Sequence, residues 1–523
     1  MKKIYIYFSL LIVALVANSC NDFLKEDPLG SLTTDALFKD ENGLDMAISG
    51  IYGLFQTSVS GTEFQLYMWC GDDVTSQNAG NKTRFAEFDR FFYNSGNTDL
   101  LGSWTNYYAC IKACNNVINN AENMDIDQTF MQQRLGQAYF FRALEYFMLV
   151  RIYGPIPMST TTDIDYTIPR SPVEDVYALI ESDLQKAEQY LPDKWTISPY
   201  FANGLNIAPN QGAVKALEAS VWMTEAGWPL NKGTSYYDKA AAKYKEIIDN
   251  ASTYGYALEP DIRNLVTEAG GDYNHEIVFG AFLSKQWWQY ASAYNEFPEE
   301  AGGWCDLLPE LDFFNHFPEG ARKDAYFFTT IYLSGSSQLV PWDSPLTNQR
   351  HPHFKKNVDS SIGWVYNYDT KSYTGDGMNW GQSGKTRYLF RYADILLLYA
   401  EAVAYGSGSI DGNVVNDVLQ VQNRAGEADS LKVTTGMSKE AFQQAVLNER
   451  KWETCGNEGS VMGRFFTMQR HELLHLQGNY RITTGDIHDT TLNPNFTSQT
   501  SPSEQFYYFP IPDQEMLIVP GLK

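Results

Sequence analysis

Apolar residues recur at helical spacing through most of the first half of the chain. The clearest stripe covers residues 173–191, where apolar side chains return every three or four positions. Ser171-Pro172-Val173-Glu174 stands at its start and offers a capping hydroxyl, a first-turn proline and a capping-box glutamate. This pattern predicts a helix that Ser171 caps.

Four further stripes predict two helical hairpins. One pair covers residues 104–118 and 135–149, with Asn-rich turn material between them. The other pair covers residues 209–226 and 236–248 and carries small residues where two helices would cross closely. Helix-turn-helix units of this size resemble tetratricopeptide repeats, although no strict period emerges. We therefore expect a mainly α fold.

The pattern changes between residues 250 and 385. Gly, Pro, Asn and aromatic residues predominate there, and only short elements are predicted, such as one at residues 276–282. Long ordered loops on a helical scaffold commonly form binding surfaces. Any ligand site should therefore draw on this region.

Helices are predicted to resume after this region, at residues 388–405, 413–424 and 439–452. The first is apolar nearly all round, which is typical of a central buried helix. Its charged residues Arg391, Asp394 and Glu401 then need partners, which we expect in the C-terminal segments. We predict that Arg391 and Asp394, together with Glu449 and Arg450, form buried structural ion pairs.

The loop-rich region is also unusually aromatic. Aromatic residues make up 15% of the chain, with 34 Tyr and 12 Trp, and several stand in polar, Gly-rich surroundings. Flat rings in such surroundings suggest a stacking surface for sugar C–H patches or peptide side chains. The candidate ligand-binding rings, for which core packing is the alternative, are Trp287, Trp288, Tyr290, Trp304 and Trp342.

Polar groups that bond ligand hydroxyls should accompany such rings. The polar stretch after Trp69 supplies candidates, for which a solvated loop is the alternative interpretation. These candidates are Asp72, Asp73, Asn81 and Arg84.

One motif is typical of an enzyme. His471-Glu472-Leu473-Leu474-His475 is HExxH, which on a helix places two imidazoles on one face for zinc and a glutamate as general base. The longer form of this motif needs a third histidine, but Arg481 holds that position and cannot ligate zinc. We favour a solvated surface helix whose histidines occur by chance, and we predict no catalytic site, no cofactor and no metal.

The N-terminus is typical of an export signal. Met1-Lys2-Lys3 is positive, residues 4–17 are mostly apolar, and small residues precede Cys20. The apolar run is shorter than the roughly 20 residues that span a bilayer, and its end resembles a bacterial lipobox. We therefore predict that residues 1–19 are a lipoprotein signal peptide and that Cys20 carries the lipid, with an ordinary cleaved signal as the alternative.

Composition indicates a large globular chain after the signal. The 523 residues are 44% apolar and 20% charged, with no second long apolar run. The formal charge of −24 becomes −26 once Lys2 and Lys3 leave with the signal, which argues against nucleic acid as a partner. The five cysteines besides Cys20 lack CxxC spacing, so they indicate neither a disulfide framework nor a zinc site.

Several segments stand in the order found in the SusD/RagB family. They are residues 20–28, 138–143, 149–157, 391–402, 422–426, 448–453 and 507–512. Together they extend over essentially the whole mature chain, which is far more specific than any single motif. Residues 455–465 depart from the family's pattern, so the match is looser there. On these segments the chain resembles a SusD-like lipoprotein.

The resemblance implies a lipid-anchored protein of the outer membrane that faces the cell exterior, binds a nutrient and caps a SusC-like TonB-dependent transporter. It also implies a SusD-like domain over residues 20–523. Helical hairpins would lie mainly in 20–250, the aromatic loops in 251–387 and the C-terminal family blocks in 388–523. Residues 21–28 resemble the lysine-plus-acidic surface-export tag of Bacteroidetes, with a plain charged tether as the alternative.

A glycan is the ligand that this resemblance implies, and a peptide is the alternative. Glycan cargo favours an exposed arc of rings, whereas peptide cargo favours a groove that bonds backbone groups. Exposure of Trp287, Trp288 and Trp304 would therefore separate the two hypotheses. A zinc peptidase, which HELLH alone supports, is a remote third hypothesis.

Overall fold

The structure of the chain is a computed structural model. It describes residues 37–60, 62–77, 79–163, 165–266, 273–283, 293–301, 303–333, 338–356, 365–367, 372–374, 385–456, 458–474 and 506–523. The predicted signal peptide, Cys20 and the charged tether lie outside these residues.

Helices dominate the first half of the described chain. They are α1 (Glu41–Ser60), α2 (Thr83–Asp89), α3 (Thr98–Ala121), α4 (Gln128–Tyr153), α5 (Val173–Tyr190), α6 (Gln211–Ala226), α7 (Thr234–Asp249) and α8 (Ala251–Tyr254). Successive long helices from α3 to α7 pack against one another, which confirms both predicted hairpins. Small residues allow the close crossing of α6 and α7, where Ser220 Oγ lies 2.7 Å from the Tyr244 hydroxyl.

Side chains cap several of these helices as the sequence rules expect. Asn97 accepts a hydrogen bond from the Asp99 amide at the start of α3, and Asp127 accepts one from the Phe130 amide at the start of α4. The predicted Ser171 cap on α5 is wrong. Ser171 pairs instead with Ile156 in a short antiparallel ladder, and the helix begins after Pro172 without a side-chain cap.

Short strands interrupt the helical half. They are β1 (Val74–Ser76), β2 (Ile156–Pro157), β3 (Arg170–Ser171), β4 (Phe201–Ala202) and β5 (Leu205–Asn206).

The middle region consists of loops with many short elements, as predicted. Its helices are α9 (Ala293–Glu296), α10 (Leu311–Asn315) and α11 (Ala321–Tyr326). Its strands are β6 (Ile277–Ala281), β7 (Leu307–Pro309), β8 (Phe327–Phe328), β9 (Thr330–Tyr332), β10 (Leu339–Pro341), β11 (His353–Phe354), β12 (Val365–Asn367), β13 (Ser372–Thr374) and β14 (Arg387–Arg391). In the described residues the strands form antiparallel pairs, so this region extends the helical scaffold with small ladders instead of one large sheet.

The C-terminal part returns to helices. They are α12 (Tyr392–Tyr405), α13 (Gly412–Ala425), α14 (Lys439–Glu453), α15 (Arg464–Arg470) and α16 (Asp513–Ile518). The predicted start of α12 at residue 388 is wrong, because Arg387–Arg391 pairs with β6 as strand β14 before the helix begins. The prediction of a central helix is confirmed: residues 392–404 are all buried, and α7, α13 and α14 pack around α12.

The predicted ion pairs around α12 are largely confirmed. Arg391 Nη1 lies 2.6 Å from a Glu276 carboxylate oxygen and 2.8 Å from one of Glu453, and Arg450 pairs with Glu401 at 2.5 Å. Asp394 has a different role, because its carboxylate accepts a hydrogen bond from the Arg391 amide and caps α12. The buried charges therefore join the end of β14 and helix α12 to α14 and to the residue that precedes β6.

Two further predictions concern helices and cysteines. In the residues that the structure describes, no helix combines the length and the apolarity needed to cross a membrane. Cys110 and Cys114 lie buried one turn apart in α3, and none of the five described cysteines forms a disulfide, as expected of packing residues.

Candidate functional site

Three segments meet at one surface of the loop-rich region. We call the described residues in 77–84, 297–306 and 338–350 the loop face. Strand β1 precedes the first segment and β7 follows the second, and the two strands pair with Ser76 opposite Leu307. The polar stretch after Trp69 is thereby brought to the segment that contains Trp304.

An ion pair and a hydrogen bond fix this junction. Lys82, in a 3-10 turn that also contains Asn81, forms an ion pair with Asp306, and the Trp69 indole donates to the Asp306 carbonyl at 3.1 Å. Trp69 also stacks on Phe85, with ring centroids 4.5 Å apart. The backbone on both sides of the junction therefore has a rigid support.

Trp304 is the exposed ring of the loop face. It is 52% exposed, whereas its neighbour Cys305 is buried with φ at +53°, a conformation uncommon for residues other than glycine. The Gly303 amide donates to the Pro298 carbonyl at 2.9 Å, and the Cys305 thiol contacts the Phe297 carbonyl at 3.2 Å. These contacts hold the backbone while the tryptophan remains accessible to a ligand.

Trp342 lies at the same surface but is partly buried. Its ring meets Phe314 edge to face, with centroids 5.7 Å apart, and its carbonyl accepts a hydrogen bond from Thr347 Oγ1 at 2.9 Å. Trp342 is therefore in large part a packing residue. Core packing was the alternative to ligand binding for every candidate ring.

An amide and carboxylate cluster, which sequence reasoning missed, completes the loop face. Glu299 accepts from Gln349 at 2.8 Å and from Gln77 and Asn348 at 3.2 Å each, and Glu300 accepts from the Asn348 amide at 2.6 Å. Carboxylates and amides of this kind can exchange such bonds for sugar hydroxyls. Because the contacts join residues 48 to 222 positions apart, no local spacing could have indicated them.

The polar candidates Asp72 and Asp73 join the N-terminal stretch to the C-terminal helices. Asp72 pairs with Arg464 at 2.6 Å and with Lys451 at 3.0 Å. Burial opposes ionisation of Asp72, but these two cations hold its pKa below the usual range. Asp73 accepts from the Gly456 amide at 2.8 Å, and burial together with the neighbouring Asp72 raises the pKa of Asp73 to about 6. Both carboxylates thus have structural partners.

The other two polar candidates are exposed. Asn81 lies in its surface turn, and Arg84 pairs with Asp99 at 3.0 Å while its guanidinium lies 4.5 Å from the centre of the Phe85 ring. Both lie within two residues of Lys82, which pairs with Asp306 in the Trp304 segment. Three further ring candidates, Trp287, Trp288 and Tyr290, lie outside the described residues and stay predictions.

The described part of the HExxH motif, residues 471–474, does not lie on a helix. Helix α15 ends at Arg470, and Glu472 has a left-handed backbone with φ at +57°, so the helical spacing that zinc ligation needs is lost within the motif. His471 Nε2 lies 2.8 Å from Glu401, and burial lowers the pKa of His471. His475 lies outside the described residues.

The expected solvated face beside this motif is also wrong. Gln469 and Arg470 are each only 3% exposed. Gln469 donates to the Tyr507 carbonyl at 2.6 Å, and Arg470 pairs with Glu401. The two residues before the motif therefore belong to the buried core.

Two family models match the chain. One, described as starch-binding associating with outer membrane, matches residues 22–219. The other, described as the SusD family, matches residues 276–523.

Individual relatives extend over nearly the whole length. SusD-like protein P2 of Formosa agariphila is 27% identical, over 99% of this chain and 98% of that protein. A solved SusD superfamily protein from Parabacteroides distasonis superposes with a TM-score of 0.72 at 23% identity, over 92% of this chain and 98% of that one. A structure described as a laminarin binding SusD-like protein gives a TM-score of 0.69 at 18% identity, over 92% and 98%. These likenesses confirm the predicted mainly α, SusD-like fold.

Proposed function

The chain belongs to the SusD family, a family of glycan-binding proteins, and from that premise we propose that it is a cell-surface lipoprotein that binds a neutral glycan. It delivers this glycan to a SusC-like TonB-dependent transporter in the outer membrane. Lipid on Cys20 anchors it there. The protein acts as a binding protein and not as an enzyme.

The exposed ring of Trp304 carries this proposal. A tryptophan that is 52% exposed beside a rigid loop junction offers a flat apolar surface at small entropic cost. Glu299, Asn348 and Gln349 supply acceptors and donors on the same loop face. Rings flanked by such groups are the chemistry that binds pyranose units. Asn81 and Arg84 are the further polar contacts that we propose.

The charge of the chain supports a neutral glycan. The formal charge is −24, and Glu299 and Glu300 add carboxylates at the loop face itself. A polyanionic polysaccharide would meet repulsion at long range and again at the site. Neutral hydroxyl-rich polymers meet neither barrier, and their hydroxyls can donate to these carboxylates.

Affinity electrophoresis of the unlipidated chain in native gels tests the proposal. Gels would contain laminarin, starch or arabinoxylan as neutral polymers and polygalacturonate as the anionic control. We expect one neutral polymer to retard the protein and polygalacturonate to leave its mobility unchanged. Loss of retardation in Trp304→Ala, but not in a variant of an exposed ring elsewhere such as Phe92→Ala, would assign binding to the loop face.

Other outcomes of this experiment would contradict the proposal. Retardation by none of the neutral polymers would favour the peptide-binding alternative. Retardation that Trp304→Ala leaves unchanged would confirm a glycan ligand but remove the loop face as its site.

A further inference from the structure

A second concave surface lies away from the loop face. It is a groove between α3, residues 157–168 and the C-terminal residues 515–522, and we call it the α3 groove. Its volume is about 390 Å³, within the range of about 300–1,000 Å³ that small ligands occupy in proteins. None of its described lining residues belongs to the loop face. A ligand could therefore occupy it independently of a glycan at Trp304.

The floor of the α3 groove is apolar and rigid. The Trp104 and Tyr108 rings contact each other with centroids 4.9 Å apart, and the Tyr108 hydroxyl donates to the Pro157 carbonyl at 2.8 Å. Val519 and Leu522 close the floor from the C-terminal side. Such a surface releases water readily when it is covered by an apolar group.

One stripe of α3 forms the side of the groove. Thr105, Tyr108, Ala109 and Lys112 follow the i, i+3, i+4, i+7 spacing that puts side chains on one helix face. Thr105 and Lys112 are exposed, although the opposite face of α3 is packed against α1 and α4. This stripe therefore belongs to a helix face that the rest of the described chain covers only in part.

The rim of the groove carries an excess of carboxylates. Asp163, Asp165 and Glu515 line it, against Lys112 as the basic residue. Among the described residues, Asp163, Glu515 and Lys112 form no ion pair, and Asp165 accepts hydrogen bonds only from its neighbour Thr167. The carboxylates at the rim thus remain available to a cation.

Large apolar side chains stand exposed beside the rim. Tyr166 is 53% exposed between the rim residues Asp165 and Ile168, and Ile518 is 54% exposed one turn after Glu515. Leu517 is 76% exposed next to it. Exposed apolar groups gathered around a concave surface mark a site of interaction.

We propose that the α3 groove binds a peptide segment in which a lysine or arginine stands beside an apolar side chain. The apolar side chain covers Trp104 and Tyr108, and the cation reaches the carboxylates of Glu515 and Asp163. A neutral sugar could also donate hydroxyl groups to these carboxylates, but only a cation would balance their excess negative charge. This site is separate from the proposed glycan site and does not depend on it.

Calorimetric titration of the unlipidated full chain with two blocked tripeptides tests this inference. The probes are acetyl-Leu-Arg-Leu-amide and the uncharged acetyl-Leu-Gln-Leu-amide. We expect the arginine peptide to bind at least about tenfold more tightly, because its cation would pair with the half-buried Glu515. Equal affinities, or no heat with either peptide, would overturn the proposal.

Two variants locate the binding. Glu515→Gln should bring the two affinities close together, whereas the matched control Asp513→Asn, an exposed acid on the same helix that does not line the groove, should leave the tenfold ratio. Ala109→Phe should fill the groove and remove binding of both peptides, with circular dichroism as the check on folding. If Ala109→Phe fails to fold, the Glu515→Gln result decides alone.

A third titration separates this proposal from its competitors. Peptide binding that Trp304→Ala removes would place the peptide at the loop face and overturn the assignment to the α3 groove. Binding of a neutral oligosaccharide that Ala109→Phe removes and Trp304→Ala does not would show that the groove is a sugar site instead.

Discussion

Two regions of this protein use the same charged residue types in opposite ways. At the loop face, Glu299 and Glu300 exchange hydrogen bonds at the surface, where water competes for them. Around α14, Glu453 accepts bonds from three arginines, and its side chain is 0% exposed. We call this second region the arginine cluster, which consists of Arg322, Arg391 and Arg424 with Glu276, Glu427, Glu449, Glu453 and Glu458.

The difference shows where binding chemistry can reside. Each arginine of the cluster has at least two carboxylate partners, and no cluster side chain is more than 4% exposed. A buried charge that loses its partner destabilises the fold, so the charged groups of the cluster are not available to a ligand. The carboxylates and amides of the loop face are available to a ligand because they lie at the surface, where water competes for their hydrogen bonds. Four changes to the chain test this contrast.

Glu453→Gln should have the largest effect. The change keeps the shape of the side chain but removes the charge that Arg322, Arg391 and Arg424 share. We expect the free energy of unfolding to fall by about 3–5 kcal/mol, the usual cost of breaking a buried pair. Urea unfolding followed by circular dichroism measures it.

The matched control for this variant is Glu300→Gln on the loop face. A surface change of this kind should alter stability by no more than about 0.5 kcal/mol. If both variants unfold at the same urea concentration, the contrast between the two regions fails.

Asp73→Asn should change how stability depends on pH, because burial disfavours the ionised form of the Asp73 carboxyl group. The pKa of Asp73 is raised to about 6 in the folded chain, above the value of about 3.9 in unfolded chains. The folded state therefore holds the proton more tightly. The stability that Asp73 contributes is fully present below pH 4 and is lost as the pH rises through 6.

The expected difference follows from the shift of about two units. Between pH 4 and pH 8, the wild type should lose about 2–3 kcal/mol relative to Asp73→Asn, because the asparagine can still accept from the Gly456 amide. Asp72→Asn should behave in the opposite sense, since Arg464 and Lys451 keep the pKa of Asp72 low. If the stabilities of the two variants changed with pH in the same way, the different partners of Asp72 and Asp73 would not give the two carboxylates different pKa values.

Trp304→Ala should affect binding and leave stability unchanged. Loss of an exposed aromatic anchor should weaken glycan affinity by about 1–3 kcal/mol, while the urea midpoint stays within error. Calorimetry with the polymer that retards the wild type measures the first effect. A clear loss of stability without loss of affinity would make Trp304 a packing residue, as the core-packing alternative holds.

The features of the fold that sequence could predict are those with a strong local pattern. The 392–404 segment is apolar on nearly every side, so its burial followed directly, and Arg391 just before it then required acidic partners. The tertiary context overrode weaker local signals. Ser171 is a good capping residue, but its pairing with Ile156 fixes it in a strand. Residue 388 likewise belongs to strand β14, which pairs with β6.

The candidate site could be predicted only in part, because its contacts are long-range. Tryptophan in a Gly-rich loop pointed to Trp304. The partners of Asp72, however, are Lys451 and Arg464, almost 400 positions away, and no spacing along the chain encodes such a contact. The same holds for Gln77 and Glu299. The HELLH helix was wrong for a more local reason, since Glu472 adopts a left-handed backbone.

Cys20→Ala should have the smallest effect on the folded chain. The variant removes the thiol that would carry the lipid, at a position outside both the loop face and the arginine cluster. We expect the urea midpoint and the glycan affinity to remain those of the wild type, because every contact described for the two regions joins residues after position 60. The protein should nevertheless leave the membrane fraction, since membrane attachment through lipid needs the acyl chains. Fractionation of cells that express each form measures this, and a variant that stays with the membrane would show that protein contacts hold the chain there instead of a lipid on Cys20.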